Sequence, residues 1–195
     1  MPDIYIEKIG ETWFGVAYEK ETICATTFGS TEKNTLRSLS EGLHQDVSTQ
    51  NIKKTDFAKN VVNTLKDIYD GKDASNEFAL TQKHLSKYAM KVIQTVCKIP
   101  VGYLTSYGEV AKTVGGGPRA VGQIMARNPF APVCPCHRVV RSDLTLGGYG
   151  GGLNVKLAFL KREKRGYSSK KEIAVNGKKL QVFPVEFAIR KAQEG

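Results

Sequence analysis

Thr105-Ser-Tyr-Gly-Glu-Val-Ala-Lys-Thr-Val-Gly-Gly-Gly-Pro-Arg-Ala-Val-Gly-Gln-Ile-Met-Ala-Arg-Asn-Pro129 reads as two short helices on either side of a glycine turn. Thr105 or Ser106 can cap the first helix, whose apolar face is Tyr107, Val110, Ala111 and Val114. Gly115-Gly-Gly117 breaks it, and Pro118 sits where an opening helical turn tolerates a residue without an N–H. The second helix turns Ala120, Val121, Ile124 and Met125 inward and stops before Asn128-Pro129. Its other face carries Arg119, Gln123 and Arg127 at intervals of four, while Ala120, Gly122 and Ala126 keep the helix thin enough for close approach. The pattern is that of a helix-turn-helix. A solvated helix face has the same spacing, so spacing alone leaves DNA binding and plain surface equally open.

Upstream, Leu85, Tyr88, Ala89, Val92 and Val96 mark an amphipathic helix that Pro100 and Gly102 terminate. Gly71-Lys-Asp-Ala-Ser-Asn76 is polar and rich in helix breakers, which makes it the expected linker. Before it, Phe57, Val61, Leu65 and Ile68 recur at helical spacing, and residues 31–47 fit helix or loop. Ile4-Tyr-Ile6, Trp13–Tyr18 and Thr22–Phe28 read as strands, with Glu19-Lys-Glu21 a tight connection. Downstream, Ile173-Ala-Val175 and Leu180-Gln-Val-Phe183 flank Asn176-Gly177, the signature of a hairpin. Three segments are expected: a small α/β domain over 1–76, a second domain over 77–165 and an extension over 166–195.

The chain has 195 residues, 41% hydrophobic and 25% charged, enough for one large domain or two small ones with a real core. It has no apolar run of the roughly 20 residues a membrane helix needs, and its N-terminus lacks a signal-peptide pattern. A cytoplasmic chain, nuclear in a eukaryote, is expected. The net charge of +10 is uneven: residues 1–90 hold 11 Lys and Arg against 13 Asp and Glu, whereas residues 91–195 hold 18 against 6. A basic half beside a near-neutral one suits a polyanion such as nucleic acid, although a basic surface alone would look alike.

The four cysteines are too few for a disulfide scaffold. In Pro132-Val-Cys-Pro-Cys-His-Arg-Val-Val140, Cys136 sits beside a His-Arg pair, and a nearby imidazole or guanidinium favours the reactive thiolate. Cys24 and Cys97 read as packing residues. Cys134-Pro-Cys-His137 offers zinc at most three ligands and lacks the second ligand pair of a structural site. A redox couple would more usually have two residues between its cysteines.

Pro135-Cys-His-Arg-Val139 resembles the active-site signature of the O6-alkylguanine-DNA alkyltransferases. Ile99-Pro-x-Gly102, Ser106-Tyr107, Arg119-Ala-Val-Gly122, Asn128-Pro129 and Gly147-Gly-Tyr-x-Gly-Gly152 fall in that family's order and spacing across residues 80–165. The resemblance implies an α+β fold: a small ribonuclease-H-like N-terminal α/β domain and a mostly helical C-terminal domain with the helix-turn-helix. It implies direct-reversal repair, in which an alkyl group passes irreversibly from O6-alkylguanine in double-stranded DNA to Cys136 after the nucleotide rotates out. No cofactor and no membrane partner are expected, and the chain is expected to be a monomer with cooperative binding on DNA left open. His137 and Glu163 match the pair that draws the thiol proton through a water, and Asn128 matches the asparagine tying the helix-turn-helix to the active-site turn. Tyr107 matches a residue that rotates and holds the base, and Arg119 matches the one that fills the gap. The resemblance implies that Ala120, Gly122 and Gln123 face the minor groove, whose shallow code suits sequence-independent work.

Tyr107, Met125, Val139, Tyr149 and Gly150 match the substrate pocket. Contacts from Val139, Tyr149 and Gly150 use the main chain, so glycine in place of the usual serine at 150 is compatible with binding. The run Gly147–Gly152 leaves room for substituents as large as benzyl. Two departures stand out: Cys134 replaces an aliphatic residue, and the front domain offers only Cys24, His44 and His84 for the zinc some members carry, so no metal is expected. The competing readings are a binding protein that recognises alkylguanine without repairing it and a regulator that responds to alkylation.

Overall fold

Continuous runs of buried residues, Ile4–Ile6, Phe14–Tyr18 and Ile23–Thr27, and two-residue connections fold the opening segment into an antiparallel meander, β1 (Asp3–Ile9), β2 (Thr12–Glu19) and β3 (Thr22–Gly29). A fourth strand, β4 (Ala79–Leu80), pairs parallel with β3. The computed structural model describes residues 1–47, 52–74 and 78–194, so residues 75 and 76 of the expected linker lie outside the described part. The polar stretch after β3 is helical: α1 (Glu32–Leu43) begins at Thr31, whose hydroxyl accepts the Asn34 N–H at 3.2 Å. Gly15 lets this helix lie close on the sheet, since a Cβ there would come 2.9 Å from the Thr35 methyl. Ile4, Ile6, Ala17, Cys24, Ala25 and Leu39 form a shared core cluster, and α2 (Asp56–Tyr69) buries Val61, Leu65 and Ile68 as their spacing requires.

Two compact units result, and they do not follow the expected boundaries. The first comprises Met1–Tyr69, Ala74–Lys83 and Asn128–Val133. Residues 128–133 join it because Thr26 donates its N–H to Pro129 O at 2.8 Å and its hydroxyl to Ala131 O at 3.0 Å. The second comprises Asp70–Asp73, His84–Arg127 and Cys134–Gly195. Gly71 belongs there because, at φ +78°, it runs against Arg162, where any Cβ would strike the carbonyl.

In the second unit α3 (Lys87–Val96) is capped by Ser86 and buries Ala89, Val92 and Val96. The helix-turn-helix is present as α4 (Tyr107–Val114), capped by Ser106, and α5 (Pro118–Ala126), with Gly115 and Gly116 at φ +90° and +85° between them. Only Val121 and Met125 of α5 are fully buried; Ala120 and Ile124 are half-buried.

This unit is less purely helical than expected. Strand β5 (Tyr103–Ser106) lies in a four-stranded sheet of order β6-β5-β8-β7, with β6 Val139–Val140, β7 Lys171–Val175 and β8 Lys178–Pro184. The tail therefore supplies half of the sheet, its hairpin turning at Asn176 and Gly177 (φ +50° and +75°). Two further helices follow, α6 (Leu153–Arg162) and α7 (Val185–Glu194), and Val185, Ala188 and Ile189 of α7 pack with Leu104, Val140 and Leu160. Among the described residues no helix is long and apolar enough to cross a membrane.

Candidate active site

Cys136 opens a single 3-10 turn, Cys136–Arg138, which the chain enters from Pro135 at φ −79° and ψ 65°. The turn is closed by two main-chain bonds, Cys136 N–H to Cys134 O and Arg138 N–H to Pro135 O, both 2.8 Å. It runs directly into β6, whose parallel pairing sets Val139 opposite Thr105 and Val140 opposite Ser106. One sheet thus carries the cysteine's turn and, one residue beyond β5, the start of the helix-turn-helix. Cys136 is 7% exposed, recessed without being sealed.

Behind the turn, Glu163 at the C-cap of α6 is fully buried. Its carboxylate accepts from His137 Nε2 at 2.8 Å, from Arg138 Nε at 2.9 and 3.1 Å, and from Arg138 Nη2 at 2.9 Å. Arg138 Nη1 donates to Ile99 O at 2.6 Å. Burial opposes ionisation of Glu163, but the adjoining His137 ring and the Arg138 guanidinium outweigh it and bring its pKa down to about 2. His137 is itself pushed down by burial, with Arg138 and Lys156 adding to the effect and Glu163 opposing it. The resting His137 is therefore neutral, and its donated N–H together with the permanent charge of Arg138 holds the carboxylate ionised. Because that carboxylate only accepts, Nε2 carries the ring proton and Nδ1 presents a lone pair. Nδ1 has no protein hydrogen-bond partner among the described residues. The ring is fixed by stacking on Phe159, with centroids 4.5 Å apart. Arg138 is thus not the cation that activates the thiol, as its place in the sequence suggested; Glu163 takes up its charge.

A different cation occupies that neighbourhood. Lys156 on α6 has no exposed surface and gives its ammonium to Val139 O at 2.7 Å, Leu146 O at 2.5 Å and Gly148 O at 3.2 Å. Burial lowers its pKa to about 8, and the charge of Cys136 pulls the other way. Nζ also lies 5.9 Å from the centre of the Tyr107 ring. Sequence reasoning missed Lys156. The available signal was its position: Lys156, Phe159, Leu160 and Glu163 follow one helical stripe, so Lys156 stands where an apolar residue would be expected.

Tyr107 and Tyr149 complete this side. The Tyr107 hydroxyl donates to Gly148 O at 3.4 Å, and a Cβ on Gly147 would press on the Tyr107 ring at 3.2 Å. Burial and the nearby Cys136 raise the pKa of both phenols. Gly150 is exposed, with nothing within 4 Å of the place a Cβ would take, so its lack of a side chain is not forced by packing. The Val139 carbonyl, expected at the guanine edge, already accepts from Lys156, which leaves one lone pair for a base. An open pocket of about 540 Å³ lies against this loop, lined by Arg141, Leu146, Gly148, Tyr149, Leu153 and Lys191. Lys191 comes from α7, so the tail forms part of its wall.

On the helix-turn-helix, Arg119, Gln123 and Arg127 are exposed together, Met125 is buried, and Ala120 and Gly122 are half-buried. Gly122 keeps the Tyr107 ring at van der Waals distance, since a Cβ there would sit 4.0 Å from it. Asn128 belongs to the first unit, where its Oδ1 accepts the Phe130 N–H at 3.0 Å.

Residues 87–165, from α3 to just beyond Glu163, match the family model described as 6-O-methylguanine DNA methyltransferase, DNA binding domain. A methylated-DNA–protein-cysteine methyltransferase of Methanosarcina mazei is 35% identical over 114 residues, which take in 57% of this chain and 72% of that protein. The chain belongs to the methylated-DNA–protein-cysteine methyltransferase family. A family member from Methanothermobacter thermautotrophicus is 45% identical over 78 residues, 40% of this chain and 44% of that one. One from Mycobacterium leprae is 48% identical over 81 residues, 40% of this chain and 49% of that one. The chain thus spans about half the length of several curated relatives it matches. The crystal structure of an O6-methylguanine-DNA methyltransferase from Pyrococcus kodakaraensis superimposes with a TM-score of 0.66 at 28% identity, covering 84% of this chain and 99% of that one. The Mycobacterium tuberculosis OGT in complex with DNA gives 0.63 at 25% identity, covering 83% and 92%. The family-model match ends before β7, so the strands and helix of the tail lie outside it.

Proposed function

We propose that this protein repairs alkylated DNA by taking the alkyl group of O6-alkylguanine onto Cys136, once per molecule. The observation that carries the reading is the buried relay behind the cysteine: an ionised Glu163 fixes the His137 tautomer with Nδ1 as the free base. The reacting oxygen is hidden in a duplex, so the nucleotide rotates out at a cost of a few kcal/mol. Arg119 enters the space it leaves, and Tyr107 holds the extruded base. The exposed row Arg119, Gln123 and Arg127 lies along the minor groove, and the basic second half of the chain adds attraction to the phosphates.

His137 Nδ1 takes the thiol proton through a water, and the charge of Lys156 favours the resulting thiolate. The thiolate attacks the alkyl carbon, the S–C bond forms as the C–O6 bond breaks, and the departing guanine is protonated at N1. The product is a thioether, which is a poor leaving group, so the protein is consumed. Support comes from the family membership of the chain and from the M. tuberculosis relative solved with DNA.

The test is a single-turnover reaction of the chain with a duplex bearing one O6-methylguanine. Restored guanine should equal methylated protein mole for mole. Tight binding of the lesion with no restored guanine would instead identify a recognition protein.

A further inference from the structure

Of the three cysteines with no part in this chemistry, Cys97 and Cys134 lie near one another. Cys97 is the C-cap of α3, and its N–H donates to Ile93 O at 2.9 Å. Cys134, on the segment entering the active-site turn, directs its thiol at the same carbonyl from 3.8 Å. The two residues thus meet at one carbonyl, Ile93 O, which brings their side chains side by side. Both are reduced; Cys134 is fully buried, whereas Cys97 is partly exposed. A cysteine that solvent can reach therefore lies beside one that it cannot, which is the arrangement of a pair that oxidises to a disulfide. The neighbouring Cys134 lowers the pKa of Cys97, and Lys98 and Arg138 add to this against the opposing effect of burial. The nucleophilic form is thereby favoured at the more accessible sulfur.

We propose that Cys97 and Cys134 are a peroxide-sensitive dithiol whose disulfide slows the alkyl acceptor and whose reduction restores it. The Cys97 thiolate attacks one oxygen of hydrogen peroxide: an S–O bond forms, the O–O bond breaks, and hydroxide leaves, taking up the proton that Cys97 gave up to become water. The Cys134 thiol then attacks the sulfenic sulfur, an S–S bond forms, the S–O bond breaks, and a second water leaves. Two electrons pass from the sulfur pair to the peroxide, and a dithiol reductant returns them. Closing the two thiols to a bond of about 2.05 Å moves Cys134 toward α3. Cys134 O holds the Cys136 N–H at 2.8 Å, so the turn that aims Cys136 moves with it. Small displacements of a reacting group cost up to about a hundredfold in rate. The disulfide stands on its own, whereas the slowing rests on Cys136 being the acceptor.

The experiment treats the reduced full chain with a small excess of hydrogen peroxide, traps remaining thiols with iodoacetamide and maps peptides without reduction. In parallel, methyl transfer from an O6-methylguanine duplex is followed before oxidation, after it, and after dithiothreitol. The expected map joins the Cys97 and Cys134 peptides and shows Cys136 still trapped by iodoacetamide. The transfer rate should fall about tenfold or more, recover with dithiothreitol, and show no such reversible fall in Cys97→Ser. A map in which Cys136 is oxidised first with no 97–134 link overturns the proposal. A linked protein that transfers at the reduced rate overturns the switch. A reduced protein that transfers no methyl overturns the proposed function and the switch with it, while the map still decides the disulfide.

Discussion

Replacing Glu163 by Gln keeps the shape of the buried side chain and removes its charge. In the native protein the carboxyl is held at about 2 against its ordinary 4.5. At 1.36 kcal/mol per pH unit that difference corresponds to about 3 kcal/mol of stability at neutral pH. Because the folded value is the lower one, the contribution is complete above pH 4.5 and is lost as pH falls toward 2. The substitution also leaves Arg138 buried with three of its donor contacts weakened, and breaking such a pair costs about 3–5 kcal/mol. Urea denaturation of wild type and Glu163→Gln at pH 7, 5, 4 and 3 tests this. The gap should be at least about 3 kcal/mol at pH 7, and the part due to ionisation should be roughly halved by pH 3. A gap under about 1 kcal/mol at pH 7, or one unchanged down to pH 3, refutes the claim that an ionised Glu163 organises the site.

Lys156→Met strips the Val139, Leu146 and Gly148 carbonyls of their donor and should slow methyl transfer by about tenfold or more, measured in single-turnover assays. Burial holds Lys156 at about 8 against 10.5, so its charged form costs stability below pH 8 and that cost lifts as pH rises toward 10.5. Between pH 7 and 10 the wild type should therefore gain about 2–3 kcal/mol relative to Lys156→Met in urea denaturation. Arg119→Ala, at an exposed position, should leave stability within about 0.5 kcal/mol. It should nevertheless cut methyl transfer more than about tenfold in the same assay, as loss of a residue that holds the flipped state requires. Leu180→Ala, at a fully buried position of the tail hairpin, should cost about 2–4 kcal/mol, which calorimetry would show as a lowered Tm.

Local periodicity made much of the architecture legible. The spacing of Val110, Ala111 and Val114, the glycine break and Pro118 specify the helix-turn-helix without reference to distant residues, and Ser106 caps where its hydroxyl predicts. The strand read at Thr22–Phe28, which runs one residue further to Gly29, and the Asn176-Gly177 turn were readable for the same reason. Strand β5 was not: its four residues are held by β8, whose partner residues lie about eighty positions downstream, and by the two residues of β6. The tail looked like an appendage because a hairpin signal does not reveal what its outer edge meets. The grouping of 128–133 with the first unit depends on Thr26, a residue whose own strand pattern gives no hint of it. In the site, Cys136, His137 and Glu163 were visible through motif resemblance, and the structure assembles His137 and Glu163 directly. The charges were misassigned, because sequence adjacency placed Arg138 beside the thiol whereas a 3-10 turn sends it to Glu163, and Lys156 was hidden in an apolar helix.

The most direct test is peptide mass spectrometry of the protein after reaction with a duplex containing one O6-methylguanine. A single methyl group on the peptide carrying Cys136, absent from Cys136→Ser, is the predicted result. A methyl group on another residue, or guanine restored just as well by Cys136→Ser, would contradict the account.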